Sequence, residues 1–424
     1  MNPVVTGVGF VTPIGNDRDS VELSLREGRH GFGPVEFLGN PELPVKVAGT
    51  VKGFEVSTPH WRDWTWPAGY TVPKDILRGL APHGLYAICA VDQALASAGL
   101  TEGDIAGDDS TGLYCASAGS AMLLHHNLAQ VRAVNGVRGN PMGVVSSIAG
   151  TLNFNLAARY GITGTVCGFV SACASSSHAL GYAIDDLRLG RLRRAIIVGA
   201  EEMNADSLLP FAHMRALSRQ SDPALASRPF DVGRDGFVGA GGAAVLILET
   251  PDASNARGAR PLAVTAGWGQ AADGYSVAAP HPEGAGLFLA MQRAMGDARV
   301  APESIAHVSA HATSTPVGDR AEAVALGRLF GSRGLRPPVT ASKGLTGHGL
   351  SMAGAMQAAF CVLSISRGFT PGNPHLRDAD PECSTLELPR ATLENAPRIV
   401  LSNSCGFGGS NVCHVLAAPG AITS

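Results

Sequence analysis

The stretch V-S-A-C-A-S-S-S at residues 170–177 sets the thiol of Cys173 among very small side chains. Immediately after it, apolar residues recur at helical spacing, at Leu180, Ala183, Ile184 and Leu187. A thiolate at the start of such a helix is stabilised by free N–H groups and by the positive end of the helix dipole, which lower the cysteine pKa. The alternative is a buried structural cysteine, and the C-terminal half of the chain favours the nucleophile.

Three segments of the C-terminal half combine reactive side chains with glycine and small residues, a combination that core packing does not require. They are H-A-T-S-T-P-V-G-D at residues 311–319, K-G-L-T-G-H at residues 343–348 and N-S-C-G-F-G-G-S-N at residues 403–411. With the run around Cys173, they resemble the motifs of the elongating β-ketoacyl-[acyl carrier protein] synthases: A-C-A/S-S, H-x-T-x-T-x-x-x-D, K-x4-H and G-F-G-G-x-N, in that order. Residues 4–15 also match the family's first strand and loop, so the resemblance covers nearly the whole chain.

The resemblance implies an α/β protein with the thiolase fold, in which two similar halves stack as α-β-α-β-α layers. Short β-branched runs alternating with helical patterns independently favour α/β layers with buried sheets. Strands are predicted at residues 4–8, 194–198, 243–248, 307–310, 339–342, 399–402 and 413–416, and helices at residues 84–98, 145–160, 174–189, 320–330 and 351–366. The polar, breaker-rich segment 250–260 predicts a boundary between a half at residues 1–250, carrying the nucleophilic cysteine, and a half at residues 251–424, carrying two histidines.

The resemblance also implies a mechanism of decarboxylative Claisen condensation. Cys173 would accept an acyl chain from the phosphopantetheine thiol of acyl carrier protein and hold it as a thioester. His311 and His348 would bind malonyl-carrier protein and stabilise the enolate that forms as CO2 leaves. The backbone N–H groups of Cys173 and Phe407 would hold the tetrahedral oxyanion that follows.

Other motif residues take supporting roles in this resemblance. Lys343, counted with the catalytic residues, and Glu322 would form a supporting ion pair whose role is orienting and not proton transfer, and Asp319 closes the first histidine motif. In the G-F-G-G loop, the ring of Phe407 would gate the acyl pocket, and the glycines on either side of it, Gly406 and Gly408, would allow close approach. No bound cofactor or metal is expected, because the substrates are carried on phosphopantetheine.

The chain departs from the family pattern in two places. Gly241 stands where the family usually has a glutamate in G-F-V-x-G-E-G-A-G, so an acidic contact is missing. The histidine motif reads H-A-T-S-T instead of H-G-T-G-T or H-G-T-S-T, which adds one methyl group. The first departure leaves room for a type II polyketide or polyene pathway besides fatty-acid synthesis.

Composition narrows the partners and the compartment. The formal net charge of −3 gives no basic field, so a nucleic-acid partner is not expected. The N-terminus lacks the features of a signal peptide, and no apolar run is long enough to predict a membrane span. Eight cysteines without C-x-x-C pairs are typical of a reducing cytoplasm.

Carrier proteins are acidic, so the surface on which acyl carrier protein docks needs local positive charge even though the whole chain is slightly acidic. The predicted docking residues are Lys74, Arg78, Arg215 and Arg219.

Several alternatives remain open at the level of sequence. A thiolase would condense without decarboxylation and use a second cysteine, and C-G-F-G-G at residues 405–409 imitates its C-x-G-G setting. A thiolase-fold acyltransferase would transfer chains without elongating them. The protein could also be a ketosynthase subunit that is active only with a chain-length-factor partner, so both a homodimer and such a heterodimer are expected possibilities. The motifs do not specify acyl chain length or pathway.

Overall fold

The computed structural model describes residues 1–422, which contain twelve β-strands and fourteen α-helices. The strands are β1 (Val4–Val11), β2 (Phe32–Pro34), β3 (Val47–Gly49), β4 (Thr111–Ala116), β5 (Val166–Phe169), β6 (Arg194–Glu201), β7 (Gly242–Glu249), β8 (Ala263–Ala272), β9 (His307–Ser309), β10 (Val339–Thr340), β11 (Ile399–Gly406) and β12 (Ser410–Ala417). The helices are α1 (Arg18–Glu27), α2 (Lys74–Gly79), α3 (Pro82–Ala98), α4 (Ala121–Ala133), α5 (Gly143–Ser147), α6 (Thr151–Tyr160), α7 (Ser175–Arg188), α8 (Ala205–His213), α9 (Pro223–Ala226), α10 (Pro251–Ala256), α11 (Ala285–Ala298), α12 (Pro316–Leu329), α13 (Lys343–Thr346) and α14 (Ala353–Arg367).

Ten of these strands form one sheet in the order β10-β9-β11-β12-β8-β1-β7-β6-β4-β5. The sheet consists of two five-stranded halves joined where Val4 and Val5 of β1 pair antiparallel with β8. In the first half, β1 pairs antiparallel with β7, and β6, β4 and β5 run parallel to one another. The second half repeats this pattern, because β8 pairs antiparallel with β12, and β11, β9 and β10 run parallel to one another. The two similar halves implied by the resemblance are therefore present, although the sequence shows no convincing internal repeat.

Helices cover this sheet on both faces and between its halves. α3 packs on β1 and β7 of the first half, and α11 packs on β8 and β12 of the second. α7 and α14 contact strands of both halves and each other, so they form the central layer. α6 and α12 add to the outer layers by packing on α3 and α11. This arrangement confirms the predicted α-β-α-β-α layering.

The central helix α14 is buried on all sides. All residues from Ala353 to Ile365 are buried, as expected for a helix that is apolar around its whole circumference. Within the described chain, Leu350–Arg367 is long and apolar enough to cross a membrane, but 83% of that window lies inside the protein. It is accounted for as a core helix.

All seven predicted strands are present in the ten-stranded sheet, but its strands β4, β5 and β8 were not predicted, and neither was the separate pair β2 and β3. The β8 sequence contains Gly267 and Gly269, and glycine is depleted in strands. These glycines are explained by packing, because a Cβ at Gly267 would lie 2.4 Å from Ala298 N and one at Gly269 would lie 2.5 Å from Ala290 O of α11. Long-range helix packing thus overrides the local strand signal.

One predicted helix is wrong, since residues 145–160 do not form a single helix. Ile148 takes an extended conformation with ψ 163°, which ends α5, and a new helix begins at Thr151. The apolar pattern crosses this break and conceals it. The boundary between residues 250 and 251 remains a prediction, and residues 251–256 form the short helix α10.

The crossing of α7 and α14 tests this packing. We expect Gly354→Ala to cost about 1–3 kcal/mol by overpacking, because its Cβ would lie 2.0 Å from Ser177 Oγ. Gly296→Ala in α11 is the matched control, since a Cβ there meets nothing within 4 Å and alanine favours a helix by about 0.5–1 kcal/mol. Thermal unfolding should give a lower midpoint for the first variant only. Equal midpoints would contradict the tight crossing.

Candidate active site

Cys173 lies in a tight turn two residues before α7. Ala172 has a φ of +51°, in the left-handed region that non-glycine residues rarely adopt. Within the turn, the Ser175 hydroxyl accepts a hydrogen bond from the Ser171 backbone N–H at 2.8 Å and donates one to the Ala172 carbonyl at 2.6 Å. These bonds hold the conformation that projects the thiol toward the second half of the chain.

The sulfur of Cys173 faces three polar groups. His348 Nε2 lies 3.0 Å from Sγ, and the backbone N–H groups of Cys173 and Phe407 also point at the sulfur. Phe407 comes this close because Gly406 precedes it: a Cβ at Gly406 would lie 2.6 Å from the Ser171 carbonyl oxygen and 3.3 Å from Cys173 N. The predicted oxyanion-binding pair is thus assembled around the thiol.

The predicted low pKa of Cys173 is wrong. Burial raises the pKa of this thiol to about 12, and the charge of Lys343 and the two N–H groups only partly oppose the rise. The start of the helix does not compensate for loss of hydration. The thiol is therefore protonated at neutral pH, and His348 is the side chain placed to accept its proton.

His311 and His348 lie together, with ring centroids 5.4 Å apart in an edge-to-face arrangement. Burial lowers the pKa of both rings well below the usual range, and the nearby Lys343 charge lowers them further. Both rings are therefore neutral at physiological pH. A neutral imidazole can donate a hydrogen bond from one nitrogen and accept one at the other.

The predicted ion pair between Lys343 and Glu322 is wrong, because no N–O contact within 4.0 Å joins them. The Glu322 oxygens instead accept hydrogen bonds from the backbone N–H groups of His311 at 2.9 Å and Ala312 at 2.7 Å, and from the Asn403 side chain at 2.9 Å. Glu322 still acts on Lys343 at longer range by raising its pKa. Its direct contacts fix the backbone that carries His311.

Lys343 is only 1% exposed and donates to Gln357 Oε1 of α14 at 2.5 Å. Burial lowers the pKa of Lys343 to about 8. The Gln357 amide in turn donates to the carbonyls of Ala310 and Asn403 at 3.0 and 3.1 Å. Sequence reasoning missed this residue, although a single glutamine in an otherwise apolar helix was a signal for a buried polar role.

Asp319 holds the first histidine motif in place. Its carboxylate accepts hydrogen bonds from the backbone N–H groups of Thr313 and Phe230, each at 2.9 Å, and lies 3.6 Å from Arg234. Burial raises the pKa of Asp319 to about 7. Asp319 therefore clamps the backbone of this motif and does not line the cavity.

A cavity of about 430 Å³ opens in front of Cys173, His311 and His348. Aromatic rings line one side of it, with the Phe407 and Phe211 centroids 6.4 Å apart and the Phe211 and Phe237 centroids 5.6 Å apart. Phe407 is 39% exposed, and Gly408 beside it has a φ of +78°. The predicted gating ring therefore lies at the cavity wall, on a loop that turns at glycine.

Comparison with known proteins agrees with this geometry. Residues 1–253 match the profile of the beta-ketoacyl synthase N-terminal domain, and residues 262–377 match that of the C-terminal domain. The chain belongs to the β-ketoacyl synthase family. It is therefore a condensing acyltransferase, which favours the synthase over the thiolase alternative.

Relatives and solved structures cover nearly the full length of the synthase. It is 34% identical over 417 residues to 3-oxoacyl-[acyl-carrier-protein] synthase 1 of Haemophilus influenzae, covering 96% of this chain and 97% of that protein. A beta-ketoacyl synthase from Burkholderia phymatum has a TM-score of 0.89 at 30% identity, and the ishigamide ketosynthase/chain length factor has one of 0.87 at 29%. Each covers 99% of both chains. The thiolase fold is thus confirmed.

The predicted docking residues belong to two different segments of the chain. Lys74 and Arg78 are exposed on α2. Arg215 and Arg219 are also exposed, but both lie after the end of α8. Arg215 has a φ of +55° and lines the cavity.

Gly241 is explained by packing in this synthase. A Cβ there would lie 3.0 Å from the Met203 Cβ and 3.2 Å from the Glu201 carbonyl oxygen. Met203 thus fills the space that a longer side chain would need, and the acidic contact expected from the family pattern is absent at this position. Among residues 1–422, no three His, Cys, Asp or Glu side chains are arranged to hold a metal.

The raised thiol pKa predicts a distinctive pH profile. Because the thiolate is the nucleophile, alkylation of Cys173 by iodoacetamide should accelerate about tenfold per pH unit from pH 7 to pH 9. Lys343→Met should slow alkylation below about pH 8, where Lys343 is charged and lowers the thiol pKa, and the difference should fade above pH 8 as the lysine loses its proton. Peptide mass spectrometry would identify the modified cysteine. A plateau below pH 8 would contradict the raised pKa.

Proposed function

We propose that this synthase elongates acyl chains by decarboxylative condensation of an acyl group on Cys173 with malonyl-acyl carrier protein. The observation that carries the proposal is the contact of 3.0 Å between Cys173 Sγ and His348 Nε2, beside two backbone N–H groups. A nucleophile, a proton acceptor and an oxyanion site thus share one point. The product is β-ketoacyl-carrier protein, for fatty-acid or type II polyketide or polyene biosynthesis.

The first step loads the enzyme. Cys173 Sγ attacks the thioester carbonyl, its proton passes to His348 Nε2, and the bond to the phosphopantetheine sulfur breaks. The departing thiolate then takes up a proton while His348 releases the one on Nδ1, so the neutral ring afterwards carries its N–H at Nε2. The N–H groups of Cys173 and Phe407 stabilise the tetrahedral oxyanion, and such a donor is typically worth about 3–4 kcal/mol in the transition state.

The second step makes the carbanion. The malonyl carboxylate leaves as CO2, and the electron pair of the broken C–C bond passes into the thioester as an enolate. N–H groups of the neutral His311 and His348 rings donate to the enolate oxygen, and the buried Lys343 charge adds longer-range stabilisation. No bound cofactor is required, because the thioester itself accepts the electrons.

The third step forms the new carbon–carbon bond. The enolate carbon attacks the acyl carbonyl on Cys173, the same pair of N–H groups holds the oxyanion, and the Cys173 thiolate leaves. The thiolate is reprotonated, so each cycle consumes one proton and releases one CO2.

We further propose that acyl carrier protein is the partner that delivers both substrates. The Haemophilus influenzae relative is named for that carrier. Lys74, Arg78, Arg215 and Arg219 remain the proposed docking residues, and Arg215 is best supported because it lines the cavity.

A dimer is proposed as the working unit, either with a second copy or with a ketosynthase-like chain-length factor. β5 is the edge strand of the ten-stranded sheet, and an edge strand offers unpaired backbone groups to another chain. Val170, just beyond it, is 73% exposed. The ishigamide neighbour is a ketosynthase/chain length factor, which supports the second possibility.

We propose a cytoplasmic location for the protein. All eight cysteines are free, as is usual for proteins of the reducing cytoplasm.

The two histidines should separate in function. We expect His311→Ala to keep acyl loading but lose malonyl decarboxylation, because it makes no contact with the sulfur. His348→Ala should slow both reactions, since its Nε2 lies 3.0 Å from Cys173 Sγ. Intact-mass measurement follows loading, and CO2 release follows decarboxylation.

His307→Ala is the matched control, because this buried histidine of β9 bonds to Thr340 and does not line the cavity. If this variant loses activity through misfolding, acyl loading and malonyl decarboxylation should fall by the same factor. Cys173→Ala should abolish loading. Acyl mass on a Cys405 peptide of the unmodified enzyme would refute the synthase mechanism and favour a thiolase.

Charge reversal tests the carrier-protein surface. Lys74→Glu should raise the apparent KM for acyl-carrier protein several-fold, and this effect should weaken with salt. The kcat with a small pantetheine thioester should stay nearly unchanged. Arg260→Glu, at an exposed position between α10 and β8, is the control. An equal loss of activity with acyl-carrier protein and with the small thioester would show that α2 does not bind the carrier protein.

A further inference from the structure

We infer that His178 is a positioning residue that holds the Cys173 turn in place for acyl transfer. It connects Ser171, in the turn, to Gln270 on β8 of the second half. The inference rests on the proposed role of Cys173 as the acylated nucleophile.

The hydrogen bonds define the state of the His178 ring. Its Nδ1 lies 2.8 Å from Ser171 Oγ, and its Nε2 lies 2.9 Å from Gln270 Oε1. Nδ1 also lies 3.2 Å from the Ala174 carbonyl oxygen. Because an amide oxygen can only accept and the Gln270 contact is the shorter of the two, we assign the proton to Nε2, so Nδ1 accepts the Ser171 hydroxyl. The amide nitrogen of Gln270 lies 3.3 Å from the Tyr182 hydroxyl, to which it can donate in this orientation of the amide. Burial lowers the pKa of His178, so the ring is neutral at physiological pH.

The turn needs such support from outside itself. The bonds between Ser171, Ala172 and Ser175 join near neighbours only, while Ala172 is held at a φ of +51°. The Ser171 hydroxyl reaches beyond them, through His178, to a strand of the other half. A small displacement of this turn would move Cys173 Sγ away from its N–H donors, and positioning errors of about 1 Å can cost about a hundredfold in rate.

His178 acts at a distance from the reacting atoms. Neither it nor Gln270 lines the cavity in which Cys173, His311 and His348 meet. The contact with Ser171 therefore concerns the nucleophile alone. Loss of the contact should slow acyl transfer to Cys173 and leave decarboxylation by the two cavity histidines intact.

Two substitutions divide the contacts of His178 between them. In His178→Asn, the amide oxygen takes the place of Nδ1 and can still accept from Ser171. In His178→Gln, the amide nitrogen takes the place of Nε2 and can still donate to Gln270, but the acceptor for Ser171 is lost. We expect His178→Gln to slow acylation of Cys173 about tenfold and His178→Asn to slow it less than about twofold. Malonyl decarboxylation should stay within about twofold of the wild type in both.

Ser171→Ala removes the same contact from the other side, and it takes away one hydroxyl group only. It should slow acylation as much as His178→Gln does, and the double variant should be no slower than either single variant, because both remove one interaction. This variant decides the question if either His178 variant fails to fold.

Three results would overturn the inference: equal loss of acylation in His178→Asn and His178→Gln, a parallel loss of decarboxylation in His178→Gln or Ser171→Ala, or additive effects in the double variant. Each would make His178 a general structural residue. Failure of the proposed function looks different, because acyl mass would then appear on wild-type peptides other than that of Cys173.

Discussion

The site depends on the close approach of the Gly406 backbone to the turn that carries Cys173. The turn belongs to the first half of the chain and Gly406 to the second, and a Cβ at that position would lie 2.6 Å from the Ser171 carbonyl oxygen. The absence of a side chain lets Phe407 N face the same sulfur as Cys173 N. The oxyanion site is therefore a property of the contact between the halves and of neither half alone.

Burial sets the electrostatics around this contact. Both histidines, Lys343 and Glu322 are buried and Cys173 is half-buried, so the thiol and the imidazoles are held neutral while Lys343, with a pKa of about 8, stays largely charged at neutral pH. Removing one partner of a buried charge costs more than the pair contributes. This explains why Glu322 and Asp319 are bound by backbone N–H groups, since those donors cannot be displaced by side-chain motion.

The sequence predicted the motif residues and the architecture, but not the pairwise contacts. The resemblance carried by the motifs implied one site for Cys173, His311, His348 and Phe407, and the structure places all four at one cavity. It could not reveal that Glu322 binds backbone N–H groups or that Lys343 bonds to Gln357, because both depend on the depth of each side chain in the fold. The prediction of a low pKa for the Cys173 thiol was wrong for the same reason. A helix start is a local feature that the sequence shows, whereas desolvation depends on the whole tertiary structure.

The duplicated topology explains why the nucleophile and its proton acceptor come from different halves. α7 follows the edge strand of the first half and α14 follows that of the second, and the two helices cross within their first turns, where Ser176 Oγ bonds to Ala355 N at 2.9 Å. The segments that lead into the two helices must therefore lie side by side. One supplies Cys173 and the other supplies Lys343 and His348. Equivalent positions of a repeated unit have thus taken complementary chemical roles, which a single half could not provide.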